Sequence, residues 1–162
     1  MNIMKKFGIF IAIFAVAAML LPSCSESAEH KADTTYALIE GEWHMESWSG
    51  EMSESIDLYV KFNADHTFVE YQKLRFPYFV KFSGSYSVVD NVLTGSYDDN
   101  TPFNSSYNVE FGSENTKLIL SSREYPDDIT VFVKEDIPSS IIEGTRSLTA
   151  HGEEVYDVKK FF

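Results

Sequence analysis

The residues able to do chemistry are few and widely spaced. The four histidines, His30, His44, His66 and His151, show no H-x-x-x-H or H-E-x-x-H pair that would set two imidazoles on one metal ion. The one cysteine is Cys24, and no serine stands in a G-x-S-x-G elbow, so a catalytic nucleophile has no visible candidate. Carboxylates are plentiful, with Glu46, Asp57, Glu70 and Glu110 inside alternating segments. Outward-facing carboxylates only solvate a strand, since an unpaired buried one is costly. Glu70 is the exception to watch. If Phe62 and Phe68 point inward, period two turns Glu70 and Gln72 inward as well, as polar anchors for a bound molecule. The opposite register, with Val69 and Tyr71 inside, is equally compatible with the pattern. The acidic run "YDDNT" at 97–101 lacks the ligand spacing of an EF-hand and reads as a solvated loop. The expectation is a protein without catalysis, metal or cofactor.

The surroundings of Cys24 explain the thiol. Lys5 and Lys6 precede an uncharged apolar run from Phe7 to Leu21, which suits a secretory signal and falls short of the roughly 20 residues of a spanning helix. The run ends in "LPSC", which resembles the lipobox of bacterial lipoproteins. That resemblance implies removal of residues 1–23 and lipidation of Cys24, with acyl chains of the palmitate kind holding the protein to the outer membrane, facing the periplasm or the surface. Two or three chains anchor stably where one does not. Residues 24–35 then read as a polar tether. Its acidic start resembles the tracts of surface-exported lipoproteins of the Bacteroidota, and a plain solvated linker accounts for it equally well.

The whole chain of 162 residues carries a net charge of −12, and removal of two lysines with the signal leaves −12 − 2 = −14. Such a balance disfavours nucleic acid as a partner. From residue 36 the pattern is that of strands. "SIDLYVKF" alternates Ile56, Leu58, Val60 and Phe62 against polar neighbours, "NADHT" supplies a turn, and six further alternating segments follow at 68–74, 78–89, 92–97, 105–111, 116–122 and 128–134. With a first strand near Glu42–Ser49 this makes eight strands joined by short turns. An eight-stranded antiparallel up-and-down β-barrel hides all its edges, and a two-sheet sandwich is the alternative.

Three motifs carry a resemblance. Gly41-Glu42-Trp43 reads G-x-W, "FNADHTF" is similar to an F-x-x-D-G-T-F hairpin, and "GSYSVVDNVLTGSY" is similar to G-x-Y-x-V-x-D-x-x-L-T. In this order they resemble the lipocalin-like domains of Bacteroidota lipoproteins, with the barrel spanning 36–135 and an extension at 136–162. The resemblance implies a calyx whose base is plugged by Trp43, with a late basic side chain such as Arg123 or Arg146 covering the indole. His66 departs from the family's glycine and places a Cβ in a tight turn.

Its implied function is binding of one small apolar or amphipathic molecule. Glu70, Gln72, Phe82, Tyr86, Tyr107 and Val109 are the candidate lining, and Gly84 and Gly95 would leave room inside or allow a bend. The alternative is a non-catalytic interaction or structural module with a filled barrel, its site on outer aromatics Trp48, Tyr59 and Tyr71. The extension is too apolar for a free linker and is expected to dock on the barrel and cover one open end. Ile137, Ile141, Ile142, Leu148, Val155 and Val158 give it that character.

Overall fold

The computed structural model describes residues 34–49, 56–74, 76–145 and 159–162. The lipobox with Cys24, Arg146, and Leu148, Val155 and Val158 of the extension lie outside them.

Eight strands form a closed antiparallel barrel in chain order: β1 (Gly41–Trp48), β2 (Asp57–Phe62), β3 (Thr67–Lys73), β4 (Val80–Val89), β5 (Val92–Tyr97), β6 (Tyr107–Phe111), β7 (Lys117–Ser122) and β8 (Ile129–Lys134). β8 pairs back onto β1, with Trp43 opposite Lys134. Closure leaves no unpaired edge, which settles barrel against sandwich. The turns use residues that tolerate left-handed backbone: Asp90 and Asn91 between β4 and β5 have φ of 51° and 61°.

One end is shut by residues 34–39, a single short helix. Tyr36 hydrogen-bonds both Ser87 Oγ and the Val88 N–H, and Thr35 reaches Asn91. Ile39 and Trp43 are wholly buried, and the Trp43 indole N–H donates to the Ile39 carbonyl at 2.7 Å. Gly41 links helix to strand at φ 122°, a conformation open to glycine alone at little cost. Over the indole lies the ammonium of Lys134, 5.1 Å from the ring centroid. The covering cation is therefore Lys134 and not Arg123, which sits exposed after β7; register at the barrel seam decides this. His66 does adopt φ 65°, and its ring packs 4.4 Å from Tyr36, which offsets the strain.

Two expectations about faces are corrected. Tyr59 and Tyr71 point outward yet are buried, because Ile137 and Ile141 of the extension pack over them with Val69 and Phe79. They offer no free patch. Trp48 is not an outer aromatic either. A register irregularity between Met45 and Ser47 shifts the end of β1, and Trp48 joins the inner cluster against Phe161. Ile142, in the helix Ser139–Gly144, stays half exposed.

The glycines do not leave room. A Cβ on Gly84 would sit 2.1 Å from the Ser96 carbonyl and 2.8 Å from the Phe68 ring, and one on Gly95 would sit 2.5 Å from Phe103. Their place is taken by aromatic rings and by neighbouring backbone. Gly84→Ala and Gly95→Ala are each expected to destabilise the barrel by roughly 1–3 kcal/mol through overpacking, read as a lower urea midpoint. Midpoints unchanged from wild type would show that the lumen yields freely there.

Candidate functional site

The lumen divides into two halves. The closed half is core: Trp43, Phe62, Tyr86 and Val109 pack beneath the turns at 63–66 and 90–91. Tyr86 Oη donates to the Asn63 carbonyl, its ring lies 4.9 Å from Phe62, and the Val109 N–H reaches the Asn91 carbonyl. Tyr86 and Val109 thus support the base and do not line an opening, contrary to the sequence reading.

The open half is built by β3, β4, β5 and the loop into β6. Period two on β3 puts Phe68, Glu70 and Gln72 inside, with Glu70 wholly buried and Gln72 2% exposed. Glu70 faces Phe82 across the β3–β4 ladder, and Gly84 opposite Tyr97 brings that phenol into the same layer. The Tyr97 hydroxyl lies 3.3 Å from the Glu70 carboxylate. Phe103 folds inward from the loop, 5.2 Å from Phe68, and Tyr107 opens β6.

Residues 159–162 of the chain itself occupy this half. The ring of Phe162, fully buried, has centroid distances of 5.0 Å to Phe103, 5.8 Å to Tyr107 and 6.2 Å to Phe68. Phe161 packs edge-on against Trp48 at 5.3 Å. The main chain of the segment is held as well. Gln72 Nε2 donates to the Lys159 carbonyl at 2.8 Å, and Asn104 Nδ2 donates to the Lys160 carbonyl at 3.2 Å. The Phe162 N–H donates to Tyr97 Oη at 3.0 Å. Lys160 ion-pairs with Asp99 at the rim, hydrogen-bonds Thr101, and lies 4.5 Å over the Tyr97 ring.

Electrostatics follow from this burial. Desolvation pushes the Glu70 carboxyl up to about 8, against the smaller opposing pulls of Tyr97, the Phe161 N–H and Lys160. Glu70 is therefore not a hydrated carboxylate at a mouth. Burial and Glu70 together drive the Tyr97 phenol upward, while the Lys160 hydrogen bond holds Asp99 down at about 2. The other strand carboxylates face solvent or partners: Glu46 pairs with Lys117, and Asp57 with His44.

Above the segment a cleft of about 350 Å³ remains at the mouth, lined by Trp48, Tyr107, Tyr125, Asp128 and Phe161 among others. The Trp48 indole donates to Asp128 there at 2.5 Å. Of the residues proposed from sequence, Glu70, Gln72, Phe82 and Tyr107 converge around 159–162. Tyr97, Phe103 and Asn104 were missed. Alternation from Leu93 through Gly95 pointed Tyr97 inward, but the acidic run beside it suggested a loop; nothing local marked Phe103 or Asn104. Among the described residues no three His, Cys, Asp or Glu side chains gather as a metal site.

The closed eight-stranded barrel with a plugged base agrees with a family comparison, in which the lipocalin-like domain model matches residues 39–120. The chain belongs to the lipocalin-like domain family. That match takes in the base, Trp43, and the β3–β5 wall carrying Glu70, Gln72, Phe82 and Tyr97, and stops before β8 and the extension. No curated protein matches the chain. Lipocalin-like barrels suggest small-ligand binding in general, as non-catalytic proteins.

Proposed function

We propose that this lipocalin-like protein is a lipid-anchored binding protein of the bacterial outer membrane that takes one small apolar or amphipathic molecule into the open half of its barrel. The observation that carries the reading is that Phe161 and Phe162 fill that half as an inserted segment, while the eight strands close without them. Apolar rings from Phe68, Phe103 and Tyr107 provide the burial, and Glu70, Gln72 and Tyr97 provide orientation. Occupation by the segment makes the filled barrel one state of a binding site, with the mouth cleft beside Trp48 leading into it.

An apolar fluorescent probe, anilinonaphthalene sulfonate, tests this. Full-length Phe161→Ala/Phe162→Ala protein should bind one equivalent, and wild type should bind much more weakly because its lumen is occupied. A folded double variant that binds no probe would overturn the reading. The anchor is tested separately. Only a thiolate can take the acyl-bearing group, so Cys24→Ala should leave the membrane fraction or keep its signal uncleaved. Wild-type protein exported in soluble form with a free thiol would end the lipoprotein proposal.

A further inference from the structure

We infer that the open half of the lumen is a peptide-recognition site, whose ligand is an extended segment of a basic residue followed by two aromatic residues. Residues 159–162 fill it in cis. The inference rests on the lumen being the binding site, as proposed above, and specifies its ligand class.

The contacts divide in the way peptide recognition requires, with main-chain hydrogen bonds giving affinity and side-chain seats giving specificity. Three side chains from three parts of the barrel read the backbone of the segment. Gln72 on β3 and Asn104 in the loop donate to the carbonyls of Lys159 and Lys160. Tyr97 at the end of β5 accepts from the Phe162 N–H. A greasy plug needs none of these. Buried polar groups are costly without partners, and here the partners come from the inserted backbone. The Gln72 amide has further capacity: its Oε1 is buried with no hydrogen-bond partner among the described residues, an acceptor suited to another peptide N–H.

The side-chain seats are distinct. Phe162 enters a pocket of aromatic edges made by Phe68, Phe103 and Tyr107. Phe161 lies against Trp48 at the mouth. Lys160 is met by the Asp99 carboxylate and by the faces of Tyr97 and Phe82, so a cation is recognised by charge and by ring quadrupoles together. A simple fatty chain would use the Phe162 seat and leave the backbone readers and the Asp99 seat empty.

A fluorescein-labelled Lys-Lys-Phe-Phe peptide tests the inference by polarisation. It should bind full-length Phe161→Ala/Phe162→Ala protein, whereas wild type should bind it roughly tenfold or more weakly, because a tethered segment competes at an effective concentration of order 1 mM. A Lys-Lys-Ala-Ala peptide should not bind. Gln72→Leu in the double-variant background should weaken Lys-Lys-Phe-Phe by about fivefold, the worth of one neutral hydrogen bond. Equal binding of both peptides, or no binding to a folded double variant, overturns the inference. Its failure is separable from that of the small-ligand reading: probe bound without peptide removes the peptide site alone, and peptide bound without probe removes the small-ligand reading alone. Should the double variant not fold, a protease recognition sequence inserted between Gly152 and Glu153 of the otherwise wild-type chain serves instead. After cleavage the segment should stay with the barrel and be exchanged by excess Lys-Lys-Phe-Phe. Immediate loss of the cut segment, with no binding of the labelled peptide, overturns it.

Discussion

Trp43→Ala should destabilise the barrel by about 3–5 kcal/mol, the range for removing a large aromatic from a core. Three losses coincide at that position. The indole is wholly buried at the base, its N–H satisfies the Ile39 carbonyl, and its face carries the Lys134 ammonium. A cavity here cannot collapse easily, because β1 is fixed between β2 and β8 and the 34–39 helix bears on the same side chain. Trp43→Phe should recover much of the packing and still leave the Ile39 carbonyl without its donor, costing about 1–3 kcal/mol. Urea unfolding of the three proteins measures both. A Trp48→Phe background isolates the Trp43 emission, which iodide should not quench; ready quenching would show a base open to solvent.

Glu70→Gln should reverse the usual effect of losing a charge: its stability relative to wild type should rise with increasing pH. In the folded chain burial lifts the Glu70 carboxyl from 4.5 to about 8, so the native state holds a proton that the unfolded chain has released. Stability then falls as pH rises, from a full contribution below pH 4.5 to none above pH 8. The variant carries no such slope. It should match wild type within about 1 kcal/mol near pH 4.5, where Glu70 is neutral in both states. At pH 9 it should be more stable by roughly 2 kcal/mol or more, since the variant escapes the desolvation penalty of the buried charge while its Oε1 can still accept from the Tyr97 hydroxyl. Parallel stability curves for the two proteins from pH 5 to 9 would mean that Glu70 is hydrated and that the segment does not cover it.

The alternation of apolar residues along "SIDLYVKF" and its successors determined the eight strands, and short turns of Asn and Asp determined that neighbours pair antiparallel, because both signals are local. The G-x-W tripeptide likewise marked the base, where Gly41 needs its positive φ and Trp43 its burial. Local signals could not choose the register of β3. Phe68, Glu70 and Gln72 form one face and Val69 and Tyr71 the other, and both faces end up covered, one by residues 159–162 and one by Ile137 and Ile141. Alternation reports which face meets water only when one of them does. A single irregularity between Met45 and Ser47 moved Trp48 from the outside to the mouth, and closure of β1 onto β8 selected Lys134 as the cation over Trp43. The tertiary structure alone decided what fills the lumen. The apolar content of the extension showed that it had to bury surface, but burial energy has no direction. Its destination was set by groups far apart in sequence, from Gln72 to Asn104, which become one polar ring only when the barrel closes and which the backbone of Lys159 to Phe162 then satisfies.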